Sequence, residues 1–420
     1  MSDTNPRDQF IPISVKHLVE MLCSDTGPDG VSSLSMEDQS AFRLFADTAS
    51  RHIHDRFLTK LKSIKESYEP FDPDTDLVTL RPRNGQECER ARDDLFESFA
   101  LVMKKANYHR LSREQLEEVM KGASQWGVDM NIAWDAFERL DVYVRGHAQG
   151  KRSIRKWYWR FRSREILVPT FKRVAIILKQ RTHPSLGPEA DTKNIFLKLF
   201  KDIPRMDIEM LLPGTSIKMP FADRLKLGGS GVSSVGYVGW KLSSMSFAGM
   251  ASILSGNLLG LMALYTPLAL IFGYGYRTYV NFHQTRQAYM LQLSQSLYYQ
   301  NLDNNAGVFY RLLDSAEEQE IRELLLGYFY LWRYAGERGW TREELDQYVE
   351  LDLERRLNVD IDFEVHDAIH KLIAGGVLQQ EGDRYRAHPI PVALERLDHL
   401  WDHDPDPIVN TTNKTDEGIV

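Results

Sequence analysis

The stretch LVPTFKRVAIILKQ, Leu167 to Gln180, alternates in part between apolar and basic residues, the period-two pattern of a half-buried strand. DVYVRGHA from Asp141, SIRKWYWRFRS from Ser153 and NIFLKLFKDI from Asn194 repeat it. Together they predict a small β-sheet domain over residues 141–226, with one apolar and one positive face. Lys151 to Lys226 holds 18 Lys and Arg against 7 Asp and Glu, which suits a phosphate-rich surface. In KWYWRFR, Lys156–Arg162, aromatic and basic residues interleave. A strand is the plainest reading. A membrane-interface contact and stacking on single-stranded nucleic acid are the alternatives. Trp157, Trp159, Arg160 and Arg162 are the residues that would face lipid.

On either side the period becomes helical. Residues 1–140 read as a mostly helical domain: SMEDQSAFRLFADTASRHIHDRFLTKLKSIKESY spaces Phe42, Phe45, Ile53, Phe57 and Leu61 along one face, and Ser112 with Gln115 makes a capping-box pattern. After a helical connector over 277–314, residues 315–402 follow winged-helix order. Three helices, the second capped by Thr341 and Glu344, precede a hairpin turning at Gly382. From Asn301 onward 12 Lys and Arg face 26 Asp and Glu. That acidity argues against nucleic acid and for a protein partner. Residues 403–420 form a polar, acidic tail expected to be disordered.

Leu227 to Tyr276 carries a single charge, Lys241. Its second half, NLLGLMALYTPLALIFGYGY (Asn257–Tyr276), is 20 residues without a charge, about the length of a bilayer-crossing helix. The first half is rich in Gly and Ser, suited to close helix packing in lipid, although Lys241 would cost about 2.5–3.5 kcal/mol at its centre. Basic residues flank both ends, so a transmembrane helical hairpin over 227–276, turning at Ser255–Asn257, satisfies the positive-inside rule. The expected class is therefore an α+β membrane protein: helical N-terminal region, basic sheet, hairpin and winged-helix-like domain.

The 420 residues, 43% hydrophobic and 26% charged with net charge −7, allow two or three domains. The start, MSDTNPRDQF, predicts neither a cleavable signal nor a transit peptide. A bacterial inner-membrane protein with its soluble domains in the cytoplasm follows as the expectation. Cys23 and Cys88 are the only cysteines, so no disulfide framework is expected. His366 and His370 have the i, i+4 spacing of a helical metal site, but Asp367 stands where the metalloprotease motif has Glu and no third ligand is evident. Asp72, Asp74 and Asp76 imitate a calcium loop, yet Leu77 and Arg83 occupy its glycine and closing-glutamate positions. No catalytic, cofactor or metal residues are singled out.

The connector KDIPRMDIEMLLPGTSIKMP, Lys201–Pro220, reads as Pro204 opening a short helix with Ile208, Leu211 and Leu212 on its oily face and Pro213-Gly214 ending it. Phe200, Lys201, Asp202, Ile203, Pro204, Asp207, Glu209, Leu212, Pro213, Asp223 and Leu225 resemble the pattern of the family called domain of unknown function 3754. Blocks such as KANYHRLSREQL and LYYQNLDNNAGVFYRLLDSAEEQEIRE extend the likeness over about residues 10–400. The resemblance implies a membrane protein of bacteria and organelles, usually with two predicted spans, and no activity. The juxtamembrane motif is Lys201, Asp202, Pro204, Arg205, Asp207, Glu209, Pro213 and Asp223.

Three functions compete. The first is a membrane-anchored scaffold or protein-interaction module at the cytoplasmic face. The second is a lipid-binding or lipid-active protein using the basic sheet. The third is an oligomeric pore or transporter component with Lys241 inside. The expected partners are a lipid bilayer and a protein partner or second copy.

Overall fold

The computed structural model describes residues 7–24, 33–76, 85–124, 129–155, 163–188, 190–214, 216–218, 276–277, 280, 283–284, 287, 291 and 297–403. Its sequence of elements begins with helices α1 (Val15–Cys23), α2 (Met36–Tyr68) and α3 (Gly85–Lys105). Strand β1 (His109–Arg110), helix α4 (Arg113–Ser124) and strand β2 (Asp129–Asn131) follow. Then come β3 (Phe137–Arg155), β4 (Ser163–Gln180), β5 (Ile195–Pro204), a 3-10 helix (Arg205–Leu211) and β6 (Ser216–Lys218). The last third holds β7 (Asn301–Asn304), α5 (Ala306–Tyr334), α6 (Arg342–Leu357), α7 (Val365–Ala374), the hairpin β8 (Leu378–Glu381) with β9 (Arg384–Ala387), and α8 (Ile390–His403).

The partly alternating segments build a five-stranded antiparallel sheet in the order β1-β3-β4-β5-β7. The expectation of one apolar and one positive face is corrected by its central strand. Val174, Ala175, Ile176, Ile177 and Leu178 are all buried, because both faces are covered. Tyr143, Ala175, Ile177, Leu197 and Leu199 point into the helical layer. Val142, Val144, Val174, Ile176 and Phe200 pack with Leu116 of α4 and with Ile208, Leu211 and Leu212. A strand covered on both sides reads as a continuous apolar run rather than an alternation.

The helical layer is α2, α3 and α5. Ser35 starts α2 by accepting from the Asp38 amide at 3.0 Å, satisfying one of the orphan donors of its first turn. Phe45 stacks on Tyr328 at 3.9 Å between centroids, and Phe42 meets Phe329 edge-on at 5.0 Å. Phe99 of α3 contacts both Phe309 and Tyr143, joining helices to sheet. Helices α6 to α8 and the β8–β9 hairpin belong to this same core through Leu345, Val349, Ile369, Leu372, Tyr385 and Leu397. The Thr341–Glu344 capping box is present, and Trp340 bridges to Tyr385 beside the hairpin. A strap of residues 7–13 crosses α5, held by Ile11 N donating to Gln319 Oε1 at 3.2 Å and by pairing of Asp8 with Ile361.

The membrane-protein class and its transmembrane helix are not supported. Among the described residues no helix is long and apolar enough to cross a membrane, and the architecture is mixed α/β around an antiparallel sheet. The physical reason lies in the two longest helices. α2 runs 33 residues and α5 runs 29, but each interrupts its apolar stripe with charge, and α5 buries Glu320, Arg322 and Glu323 against protein partners. The predicted hairpin over 227–276, with Lys241, lies outside the described residues apart from Tyr276, which is helical and exposed.

The charges of α5 are paired internally. Lys371 of α7, 6% exposed, lies 2.9 Å from Glu323 and 3.4 Å from Glu320, both 3% exposed, and 2.5 Å from Asp367. Lys105 of α3 binds the other oxygen of Glu320. Burial pushes Glu320 up, but Lys371 and Lys105 outweigh it and hold the carboxyl down at about 2.

Candidate functional site

Strand register brings three cations together. Arg145 of β3 pairs with Arg173 of β4, which pairs with Lys201 of β5. The row therefore crosses three adjacent strands, spaced about 4.8 Å apart. Next to it the sheet creases: Gly146 has φ 70° and Asp202 φ 53°. Glycine suits position 146 because that left-handed conformation is one L residues rarely adopt, and a Cβ there, 2.6 Å from Lys172 Cδ, would push the lysine side chain aside.

Arg145 is 8% exposed. Its Nη1 donates to Ala106 O and to Ser315 Oγ, each at 3.0 Å. Its guanidinium lies over Phe10 at 3.9 Å and over Tyr108 at 4.6 Å, favourable cation–π positions. Burial lowers its pKa, with Tyr108 and Asp8 opposing and Arg173 adding to the fall. Burial raises the Tyr108 hydroxyl, against the pull of Arg145, Arg173 and Arg311, so three arginines converge on that phenol.

The acids close by are engaged elsewhere. Asp8 binds Lys172 at 3.1 Å and Asp303 binds Arg311 at 2.9 Å. Among the described residues, Arg145, Arg173 and Lys201 have no carboxylate within 4.0 Å. The Arg173 Nη1 donates instead to the Lys172 carbonyl at 2.8 Å. Across the crease, Arg205 lies 5.0 Å over the Phe171 ring, with its Nη2 2.8 Å from His147 Nδ1. Burial, then Arg205, lowers the His147 pKa, so the neutral ring accepts.

The predicted motif is thus divided. Lys201 joins the cation row. Asp202 is exposed, its carbonyl accepting from Gln300 Nε2 at 2.8 Å. Pro204 ends β5 opposite Thr170 and is the cap of the 3-10 helix, which begins at Arg205, one residue after the start read from the sequence. Asp207 is half-buried and Glu209 buried within that helix, and Pro213 follows in the turn. Asp223 lies outside the described residues, as do Trp157, Trp159, Arg160 and Arg162. No group of three or more His, Cys, Asp or Glu among the described residues could hold a metal ion. Cys23 and Cys88 are free thiols.

β3 and β4 continue past this row as a two-stranded arm. Their pairing runs to Arg155↔Ser163, whereas β5 accompanies β4 only from Thr170 to Lys179. Among the described residues no third strand pairs with Ser163–Pro169. From Gly150 to Leu167 the sequence carries seven Lys and Arg and one acid, Glu165. Leu167, at the base of the arm, is 62% exposed. On the sheet's far face, a groove of about 380 Å3 opens between α4 and β3. Arg110, Ser112, Arg113, Trp134 and Leu140 line it, and the Arg113 guanidinium sits 4.8 Å over the Trp134 ring. Its cations are neutralised locally, Arg110 by Asp141 and Arg113 by Glu117, which leaves the cation row as the less compensated feature.

Sequence reading missed Arg145 and Arg173 as a pair. Both look like solvent-facing positions of an alternating strand, and only the register puts them beside Lys201.

Residues 137–307 match the family described as Protein of unknown function (DUF3754), and that span contains the arm, the row and the crease. No solved structure matches the chain.

Proposed function

We propose a phosphate-recognising binding protein whose basic β3–β4 arm engages anionic phospholipid headgroups, an arm that lies within the residues 137–307 matched by the family described as Protein of unknown function (DUF3754). The observation that carries this reading is the β3–β4 arm, with its excess of Lys and Arg, projecting beyond the third strand. Each cation held near an anionic lipid surface contributes about 1 kcal/mol, so several on one arm act together. The exposed Leu167 and the aromatic residues of the connecting sequence suit a headgroup layer, where amphipathic rings settle.

The test is flotation of the full chain with phosphatidylcholine vesicles and with vesicles that also contain phosphatidylglycerol. Binding should require the anionic lipid. The triple variant Lys151→Gln/Arg152→Gln/Arg155→Gln should lose about 3 kcal/mol, roughly a hundredfold in affinity. Equal association with both vesicles, or a single-stranded oligonucleotide that binds while anionic vesicles do not, refutes the reading.

A further inference from the structure

We propose that Arg145, Arg173 and Lys201 form a discrete site for one phosphate-type oxyanion, set in the sheet crease beside Tyr108 and the strap bearing Phe10. This rests on the reading that the basic sheet recognises phosphate, but it concerns the row and not the arm.

Three facts converge on it. Directly opposed like charges on neighbouring strands repel, and here two such pairs stand in series, Arg145 with Arg173 and Arg173 with Lys201. The compensating acids are absent from the row, because Asp8 and Asp303 are bound by Lys172 and Arg311. The row itself carries three positive charges with no carboxylate within 4.0 Å among the described residues, and a dianion offsets more of that charge than a lone carboxylate does.

The geometry also favours a compact anion. Arg145 is locked in place by Ala106 O, Ser315 Oγ and two aromatic rings, so one wall of the site is rigid before binding. Arg173 stands at the centre of the row with its guanidinium fork, the shape that grips phosphate oxygens in pairs. Lys201 supplies a mobile point charge from the third strand. The row spans two strand spacings, about 10 Å between outer backbones, a span that side chains of Arg and Lys length can bridge.

The test is calorimetric titration of the full chain with inorganic phosphate in chloride buffer, repeated with glycerol 3-phosphate. One site per chain is expected, weakened about tenfold or more by Arg173→Gln and by Lys201→Gln. Both variants should melt in chloride at or above the wild-type temperature, because repulsion is relieved. Arg145→Gln is avoided, since its stacked side chain supports the fold. Equal affinity for the two ligands indicates a site for free phosphate. Tighter binding of the ester, with inorganic phosphate displacing the chain from phosphatidylglycerol vesicles, indicates a headgroup. Phosphate binding that survives in the Lys151→Gln/Arg152→Gln/Arg155→Gln variant while vesicle binding fails supports the site and separates it from the arm. Absence of saturable phosphate binding at millimolar concentration, or affinity unchanged in both single variants, overturns the proposal even where vesicles still bind.

Discussion

Replacing Lys371 by Met should destabilise the protein more than almost any other single charge removal. Lys371 is the cation shared by Glu320 and Glu323 in the buried contact between α5 and α7. Glu320 keeps Lys105 after the substitution, whereas Glu323 keeps, among the described residues, only the Gln319 amide at 2.8 Å. The variant therefore strands one carboxylate, 3% exposed, and breaking a buried pair in this way costs about 3–5 kcal/mol. Urea unfolding at neutral pH measures it. Glu323→Gln added to Lys371→Met removes the stranded charge and should reveal a coupling of about 1–3 kcal/mol. Glu320 is held at about 2, so its contribution is complete above the ordinary glutamate pKa and fades only as pH falls toward 2. A loss below about 1 kcal/mol for Lys371→Met, or none of it recovered by Glu323→Gln, would refute this account of the core.

Other outcomes follow from single contacts. Thr341→Ala removes the oxygen that accepts from the Glu344 amide at 3.2 Å and should cost about 1 kcal/mol in thermal or urea unfolding. Gly146→Ala places a Cβ at φ 70° and should cost about 1–2 kcal/mol by the same measurement. Glu364 is raised to about 7, by burial first and then by Glu323 and Asp367. Its protonated form favours folding, so stability is lost as pH rises from the usual glutamate range through 7. Glu364→Gln should flatten that window and gain about 1–2 kcal/mol at pH 8, a figure already reduced for its solvent contact.

Local chemistry was legible in the sequence wherever partners lie close along the chain. The Thr341–Glu344 box and the turn at Gly382 are set by residues a few positions apart. Strand character over 141–148, 167–180 and 194–203 was readable from partial alternation, and the apolar side of the Arg205–Leu211 helix from Ile208 and Leu211. What stayed hidden depends on distant pairing. EEQEIRE, Glu317–Glu323, looks like a solvated helix face until Lys105 and Lys371 arrive from other helices. Arg145 reads as exposed, yet Phe10 and Tyr108 cover it. The membrane class came from counting uncharged residues in a single stretch, whereas the described helices spend their apolar faces on the sheet and on one another.

The most direct test of phosphate recognition by the basic sheet is the affinity of the full chain for phosphatidylglycerol vesicles across a range of salt concentrations. The account predicts saturable binding that falls steeply as salt screens the lipid charge, with a shallower slope once Lys151, Arg152 and Arg155 are replaced by Gln. An affinity that ignores both salt and those replacements would contradict it.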